Sequence, residues 1–203
     1  MIEGDAAAVT RTDETARRLL AAAAEVFAER GYDGAGVAEI ARRAGLTTGA
    51  IYSRFAGKAE LLVEALRQCT PDEFDQLFAE HGFDGQAKAI LRTVGSHLVT
   101  READELQALL LEAFVAARRD PDVAALLREQ FDERRARLAA LLDAGKAAGV
   151  VDTGLDTYAV VHFAHAVGLG FLLYEALGMK HPDQRSWEEV VARVVAALDP
   201  VDA

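Results

Sequence analysis

Cysteine, proline and net positive charge are all scarce in this chain. Its 203 residues contain one cysteine, Cys69, and four prolines. A lone cysteine excludes an internal disulfide framework and a cysteine-based zinc site, so we expect a protein of the reducing cytoplasm without a metal or cofactor. The first ten residues carry Glu3 and Asp5 and contain no long apolar run, so we expect no signal peptide there.

The formal net charge of −11 is unusual for a protein that binds DNA, because neutralising phosphates requires Lys and Arg. The acidity is unevenly distributed along the chain. Residues 1–58 contain eight basic and eight acidic side chains, whereas residues 59–203 contain fourteen basic and twenty-five acidic ones. The N-terminal quarter is therefore the least acidic region, which permits DNA contact there.

Residue patterning predicts α-helices along the whole chain. Ala, Leu, Glu and Arg dominate, and no segment sustains the alternation of polar and apolar residues that is typical of a surface strand. Caps and breakers place the predicted helices at about residues 12–31, 37–44, 47–55, 58–69, 71–82, 85–102, 103–119, 121–148, 155–177 and 183–198. We therefore predict an all-α fold, with a flexible tail at residues 1–10, a first domain at 11–69 and a second domain at 70–203.

Residues 37–55 contain a helix-turn-helix pattern. Two short predicted helices flank a turn, and small or aliphatic side chains at the inner positions let them pack closely: Ile40, Ala41, Ala44, Leu46 and Ile51. Such packing leaves the second helix projecting from the surface, where its first turn can meet base edges in the major groove of DNA. The outward positions are Thr47, Thr48, Gly49, Tyr52, Ser53 and Arg54.

The side chains of this region suit different parts of a DNA surface. The two threonine hydroxyls can donate or accept hydrogen bonds, and Gly49 lets the backbone approach closely. Tyr52 and Lys58 suit phosphate oxygens, which fix the register of a protein on DNA without reading the sequence. We expect Arg42 and Arg43 to be solvated surface charges.

An ordered series of residues between positions 15 and 66 carries a further signal. It consists of Leu19-Leu20, Ala22-Ala23, Phe27-Ala-Glu-Arg-Gly-Tyr32, Ile40-Ala41, Ala44-Gly45, Gly49-Ala-Ile-Tyr52, Phe55 and Lys58-Ala-Glu-Leu61. In this order and spacing the residues resemble the DNA-binding domain of the tetracycline-repressor (TetR) family. The resemblance implies an all-α homodimer, with an N-terminal three-helix helix-turn-helix domain and a C-terminal helical domain for ligand binding and dimerisation. Matched by position, it implies DNA-facing roles for Thr47, Thr48, Gly49, Tyr52, Arg54 and Lys58.

Residues 158–174 contain no Asp, Glu, Lys or Arg. We expect no membrane span here, because the run is shorter than the roughly 20 residues that crossing requires and contains two histidines. A helix that is apolar all round is instead expected to be buried on all sides. The last predicted helix has an apolar face from Trp187 to Leu198, so more apolar surface remains than one chain can cover. The resemblance implies that these last two helices form a homodimer, whose two-fold symmetry requires a roughly palindromic operator.

A ligand pocket is expected between the middle helices, and the resemblance implies that an inducer binds there. The candidate residues are His97, Phe114, Phe131, Arg134, His162 and His165. At least one of Arg134 and Arg135 is expected to point near the core, where it would hold an anionic ligand group or, more commonly, pair with a neighbouring carboxylate. The histidine pair would contact ligand or fill the core or interface, and a metal site there lacks supporting carboxylates or thiolates. The apolar lining favours a hydrophobic or amphipathic inducer.

These features favour a ligand-responsive, DNA-binding transcriptional regulator, and we expect a repressor that a small apolar or amphipathic molecule releases from its operator. A helical-bundle enzyme acting on an apolar substrate is one alternative. Its case is weak, because the adjacent Ser96 and His97 point in different directions on a helix and no nucleophile, base and orienting group stand in order. A dimeric scaffold without DNA binding is the other alternative, and the acidic balance favours it.

Overall fold

The computed structural model of the chain describes residues 3–69, 87–97 and 105–200. Within these residues every regular element is an α-helix, so the all-α prediction is confirmed. The helices are α1 (Glu3–Gly34), α2 (Val37–Arg43), α3 (Thr48–Tyr52), α4 (Lys58–Cys69), α5 (Ala87–His97), α6 (Glu105–Ala117), α7 (Pro121–Ala147), α8 (Thr157–Ala176) and α9 (Gln184–Ala196). The helix predicted at residues 71–82 lies outside the described residues.

Helix α1 starts earlier than the sequence predicts. Thr12 is not its N-cap, because the helix begins at Glu3 and runs through the segment expected to be a flexible tail. The alanines at positions 6 to 8 favour helix, and no proline precedes Thr12. The predicted break at Gly31 is confirmed, since this glycine has φ 69° and ψ 169° and redirects the chain within α1.

Side-chain caps fix the starts of three other helices. The Thr47 side chain accepts a hydrogen bond from the Ala50 N–H, as the predicted cap of α3 requires. Asp183 caps α9 in the same way. Helix α8 begins at Thr157 and not near Leu155, because Asp156 is its N-cap and accepts from the Ala159 N–H at 2.7 Å.

The described residues up to 69 and from 105 to 129 belong to one compact unit. Helix α1 packs against α2, α4 and α6, and α4 packs against α6. The core side chains are fully buried and almost all aliphatic: Leu19, Val26, Phe27, Ile40, Ile51, Leu61, Leu62, Leu66 and Leu109. Because α6 lies in this unit, the compact unit differs from the predicted domain at residues 11–69, and the functional boundary stays a prediction.

The described residues 87–97 and 130–200 belong to a second compact unit. Its core joins α7 to α8 through Leu138, Leu141, Leu142, Val151 and Val161. Helix α5 approaches α9 closely, since a Cβ atom added at Gly95 would lie 2.9 Å from Val191 Cγ1. The indole N–H of Trp187 donates to the Gly95 carbonyl at 2.7 Å and holds the same pair of helices together.

Helix α8 corrects one expectation and removes the reason given for another. With 20 residues it is long and apolar enough to cross a membrane by length and composition alone, so the expectation of no span cannot rest on its length. Nor is it buried on all sides, because Val161 and Leu172 are its buried residues while Phe163 and Leu173 are each 55% exposed. Composition shows that a helix is apolar, but it does not show whether the same chain provides the surface that covers it.

Candidate nucleic-acid interface and ligand site

The turn between α2 and α3 has the tight geometry of a helix-turn-helix. Gly45 has φ 68°, which an L side chain rarely adopts, and the Leu46 N–H donates to the Ala41 carbonyl at 2.8 Å. Ile40 and Ile51 are buried at the contact between the two short helices. This close packing uses one face of α3 and leaves its remaining residues at the surface.

Most of the predicted DNA-facing residues are exposed. Thr47, Thr48 and Gly49 are all exposed, and Tyr52 exposes 59% of its surface although it is aromatic. Ile51 is the buried residue of α3. Arg54 is exposed as well, and its Nη1 group donates to the Ala50 carbonyl at 3.3 Å. The geometry is compatible with a helix that enters a groove, and the individual DNA contacts stay predictions.

Lys58 has a second role that the sequence did not reveal. It is half-buried, and its ammonium group donates to the carbonyl of Tyr32 at 2.7 Å and to that of Ala35 at 3.4 Å. The same Nζ atom lies 4.4 Å from the centre of the Tyr32 ring. Lys58 thus joins the start of α4 to the end of α1, and its contact with a phosphate oxygen stays a prediction.

Tyr32 links the helix-turn-helix to the corner between α6 and α7. Its backbone N–H donates to Glu112 Oε1 at 2.5 Å, and its hydroxyl donates to Asp120 Oδ2 at 2.7 Å. Burial and the Asp120 carboxylate raise the pKa of the Tyr32 hydroxyl. The same hydrogen bond, with those from the backbone N–H groups of Val123 and Asp122, lowers the pKa of Asp120. This link was not predicted from the sequence, because the residues that it joins lie some eighty positions apart.

Arg43 is not the solvated surface charge that we expected. Its guanidinium group lies 2.7 Å from Glu29, 3.2 Å from Glu39 and 3.5 Å from Glu25, and its side chain is 25% exposed. The hydrogen bond to Glu29 is the main cause of the raised pKa of Arg43. Arg43 therefore fastens α2 to α1, and the Glu39–Arg43 spacing of four residues was the available signal. Arg42 is exposed, as expected.

Three of the predicted ligand-site residues come together where α7 faces α8. The ring centres of Phe131 and His165 lie 6.3 Å apart in an edge contact, and Arg134 Cζ lies 6.0 Å from the centre of the Phe131 ring. Arg135 pairs with Asp132 at 3.0 Å, but its side chain is 42% exposed, so this ion pair lies at the surface, and the expectation for an arginine near the core stays a prediction. Phe131, Arg134 and His165 are all half-buried.

His165 and His162 have different surroundings. The Nδ1 atom of His165 lies 3.1 Å from the Val161 carbonyl, so Nδ1 carries the proton and Nε2 can accept. Burial is the main cause that lowers the pKa of His165, and the nearby Arg134 acts in the same direction. His162 is exposed and stacks on Tyr158 with ring centres 6.0 Å apart. The burial of His165 thus disfavours the charged form of its ring.

The two remaining ligand-site candidates lie on α5 and α6. His97 lies in α5, but its side chain is outside the described part of the structure. Phe114 is half-buried in α6, which belongs to the first compact unit. Within the described ranges, no group of three or more His, Cys, Asp or Glu side chains is arranged to hold a metal ion. The assignment of His97 and Phe114 to a ligand site stays a prediction.

Two profiles of known protein families match the chain. The profile described as bacterial regulatory proteins of the tetR family matches residues 19–65. The profile described as the C-terminal part of BetI-type transcriptional repressors matches residues 85–200, which is more than half of the chain. The first match covers α2, α3 and most of α4, and the second covers α5 to α9.

The sequence similarity to characterised relatives covers only part of their length. The HTH-type transcriptional activator FasR of Mycolicibacterium smegmatis is 46% identical over 56 residues, which cover 28% of this chain and 26% of FasR. The HTH-type transcriptional regulator SrpR of Pseudomonas putida is 42% identical over 89 residues, which cover 41% of each protein. The chain thus matches less than two thirds of the length of these relatives.

Solved structures share the fold over nearly the whole chain. A TetR-family regulator from Rhodococcus sp. superposes with a TM-score of 0.73 at 18% identity, covering 92% of this chain and 98% of that one. A regulator from Saccharomonospora viridis in complex with choline gives 0.68 at 20% identity, covering 91% and 96%. FadR of Bacillus subtilis in complex with stearoyl-CoA gives 0.67 at 22% identity, covering 91% and 98%. At these identities the likeness shows a common fold.

Proposed function

Because the chain belongs to the TetR family of bacterial transcriptional regulators, we propose that it acts as a homodimeric repressor. In this proposal it binds a roughly palindromic operator through α3 and leaves the operator when a small apolar or amphipathic molecule binds. The family consists of regulatory proteins, which removes the ground for a helical-bundle enzyme. The proposed location is the bacterial cytoplasm, where such a regulator meets its DNA.

The exposed face of α3 is the observation that carries the proposal. A five-residue helix cannot be stable alone, so its place depends on Ile51 in the core and on the Thr47 cap. The protein therefore exposes Thr48, Gly49 and Tyr52 on one side of a short helix, and these residues do not contribute to the core. Base edges would meet Thr48 and Gly49 in the first turn, and phosphate oxygens would meet Tyr52, Arg54 and Lys58.

The proposed dimer rests on the apolar surface of α8 and α9. Large apolar residues of these helices are 43–57% exposed: Tyr158, Phe163, Leu173, Tyr174, Val190 and Val194. On α9, Val191 and Val195 are buried while Val190 and Val194 are exposed, so this helix has more apolar surface than its own chain covers. Apolar patches of this kind mark protein interfaces, and a second copy provides a matching surface through two-fold symmetry.

Sedimentation of full-length variants tests the dimer. Leu173→Glu places a charge in the proposed interface and is expected to shift the protein to monomer at micromolar concentration. Val115→Glu is the matched control, because Val115 is a 46%-exposed apolar residue of α6, outside the proposed interface. If Leu173→Glu sediments as wild type does, α8 does not form the interface.

Recovery of bound fragments from a genomic library, followed by gel shifts, tests DNA binding. Tyr52→Ala and Arg54→Ala are expected to weaken binding to a recovered fragment by about tenfold or more, since each removes a contact to a charged phosphate. Arg54→Ala also reduces the salt dependence of binding. Arg128→Ala is the control, because Arg128 is an exposed arginine of α7.

Two outcomes would contradict the proposal. If the Tyr52 and Arg54 variants bind as tightly as wild type while circular dichroism shows the same helix content, α3 is not the reading helix. If the wild-type protein recovers no fragment even at low salt, the chain is a dimeric scaffold and not a DNA-binding regulator.

A further inference from the structure

A buried amide in α7 has a donor group without a partner. Gln130 is 5% exposed, and it is the one buried polar or charged residue among the described residues. Its Nε2 atom is covered and has no hydrogen-bond partner in the structure. An unpaired buried donor destabilises the fold, so the presence of Gln130 at this position calls for a specific explanation.

Helical spacing places Gln130 on the same side of α7 as residues that pack towards α8. Arg134 follows four residues later and Leu138 eight residues later, so the three share one face of α7. Leu138 belongs to the core that α7 forms with α8. The next residue, Phe131, makes the edge contact with His165 of α8. Gln130 and Arg134 thus bring two hydrogen-bond donors to the side of α7 that carries Leu138.

The charges of α7 favour a ligand with an acceptor group. Its acidic residues nearest to Gln130 are Glu129, Asp132 and Glu133, and all three are exposed. Glu133 lies on the side of Gln130 by its spacing of three residues, but it is at the surface and not in the buried part of the helix. A cationic ligand head next to Gln130 would therefore meet an amide donor and an arginine, and no buried carboxylate of α7. An oxygen that accepts hydrogen bonds fits both Gln130 Nε2 and the positive charge of Arg134.

We propose that Gln130 Nε2 recognises the inducer by donating a hydrogen bond to its carboxylate or carbonyl oxygen, while the apolar body of the inducer lies against Phe131. This inference rests on the proposed ligand response and names the chemical class of the ligand. Because Gln130 Nε2 is covered without ligand, binding must displace the side chains over it. The ligand therefore binds a rearranged form more tightly than the observed one, and this difference in affinity drives a conformational switch.

Ten-carbon probes with different head groups test the proposal on the full-length protein. Decanoate and methyl decanoate carry acceptor oxygens, whereas decylamine carries a cationic donor. We expect the two acceptor probes to bind in calorimetric titrations and to raise the melting temperature of wild-type protein, with decanoate stronger because of Arg134. Decylamine is expected to bind at least tenfold more weakly.

Gln130→Leu separates recognition from structure. The leucine keeps a similar volume without the unpaired donor, so its melting temperature without ligand is expected to equal or exceed that of wild type. Its affinity for decanoate is expected to fall about tenfold, the usual effect of losing a hydrogen bond to a charged group. Gln68→Leu is the control, because Gln68 is an exposed glutamine of α4.

Three results would overturn the proposal. Gln130→Leu could melt well below wild type with unchanged affinity for decanoate, which would mean that the amide is a structural group paired to water. Decylamine binding that depends on Gln130 would mean that the amide presents its oxygen instead. Absence of binding by both acceptor probes would reject the ligand class. Gel shifts of the same wild-type protein without probe report separately on the proposed DNA binding.

Discussion

The two compact units of this chain differ in how fully they bury their large apolar side chains. In the first unit Phe27 is fully buried, and the short helix α3 exposes Thr48, Gly49 and Tyr52. In the second unit Phe163 is 55% exposed, on a helix without a charged residue between positions 158 and 174. In the proposed function, the first unit presents α3 to DNA, whereas the exposed phenylalanine and leucine of the second unit pack against a second copy of the chain.

Removing a phenyl ring from each unit provides the sharpest test of this difference. Phe27→Ala is expected to lower the free energy of unfolding by about 3–5 kcal/mol, because it leaves a cavity in a fully packed core. Phe163→Ala is expected to leave the stability of the monomer nearly unchanged and to weaken the dimer. Urea unfolding at several protein concentrations measures both. Equal losses in the monomer would show that the units do not differ in this way.

Removing the hydroxyl of Tyr32 is expected to have the next largest effect on the free energy of unfolding. Tyr32→Phe removes the hydrogen bond to Asp120 within the first unit and should cost about 1–2 kcal/mol of unfolding free energy. Tyr52→Phe is the matched control, because its hydroxyl belongs to a 59%-exposed side chain. Similar urea midpoints for the two variants would mean that the Tyr32 link contributes nothing.

Arg43 is expected to contribute less than Tyr32, because its ion pairs remain accessible to water. Arg43→Met leaves Glu25, Glu29 and Glu39 close to one another without their shared cation. The melting temperature should fall, and the loss should shrink at high salt, which screens the remaining repulsion. Arg42→Met should show neither effect. A loss for Arg43→Met that is independent of salt would argue against the ion-pair explanation.

The smallest expected effect is a pH dependence in the second unit. The pKa of His165 is lowered by burial, so below pH 6.5 the unfolded chain binds more protons than the folded one. Stability therefore falls as the pH drops from 6.5 towards the folded pKa. His165→Gln should flatten the melting temperature between pH 7.5 and 5.5, whereas His162→Gln at an exposed position should not. If the melting temperature of His165→Gln changes with pH as that of wild type does, His165 does not cause the pH dependence.

Local signals predicted most of the first unit. The Gly31 break, the Gly45 turn and the Thr47 cap depend on near neighbours in the sequence, and each was placed correctly. The links of Tyr32 to Glu112 and Asp120 escaped prediction because they join residues distant along the chain. Arg43 was misjudged because the sequence does not show how many carboxylates of another helix lie close to an arginine on a helix surface.

The second unit was harder to predict from sequence. The apolar composition of α8 was clear, but burial was inferred from composition and proved wrong for residues such as Phe163 and Leu173. Phe131, Arg134 and His165 were each candidates for the ligand site, but the contact of Phe131 with His165 joins two helices and was not predicted. Gln130 escaped notice because a glutamine in a helix is ordinarily solvated, and its burial depends on tertiary packing.

A photocrosslinking experiment tests the claim that α3 enters a groove of DNA. Tyr52 and Tyr158 are exposed to nearly the same extent, 59% and 57%, in different units. Replacing each in turn with p-benzoylphenylalanine and irradiating the protein on a bound DNA fragment compares the two positions directly. We predict crosslinks to DNA from position 52 and none from position 158. Crosslinks from position 158 alone would contradict the assignment of α3 as the reading helix.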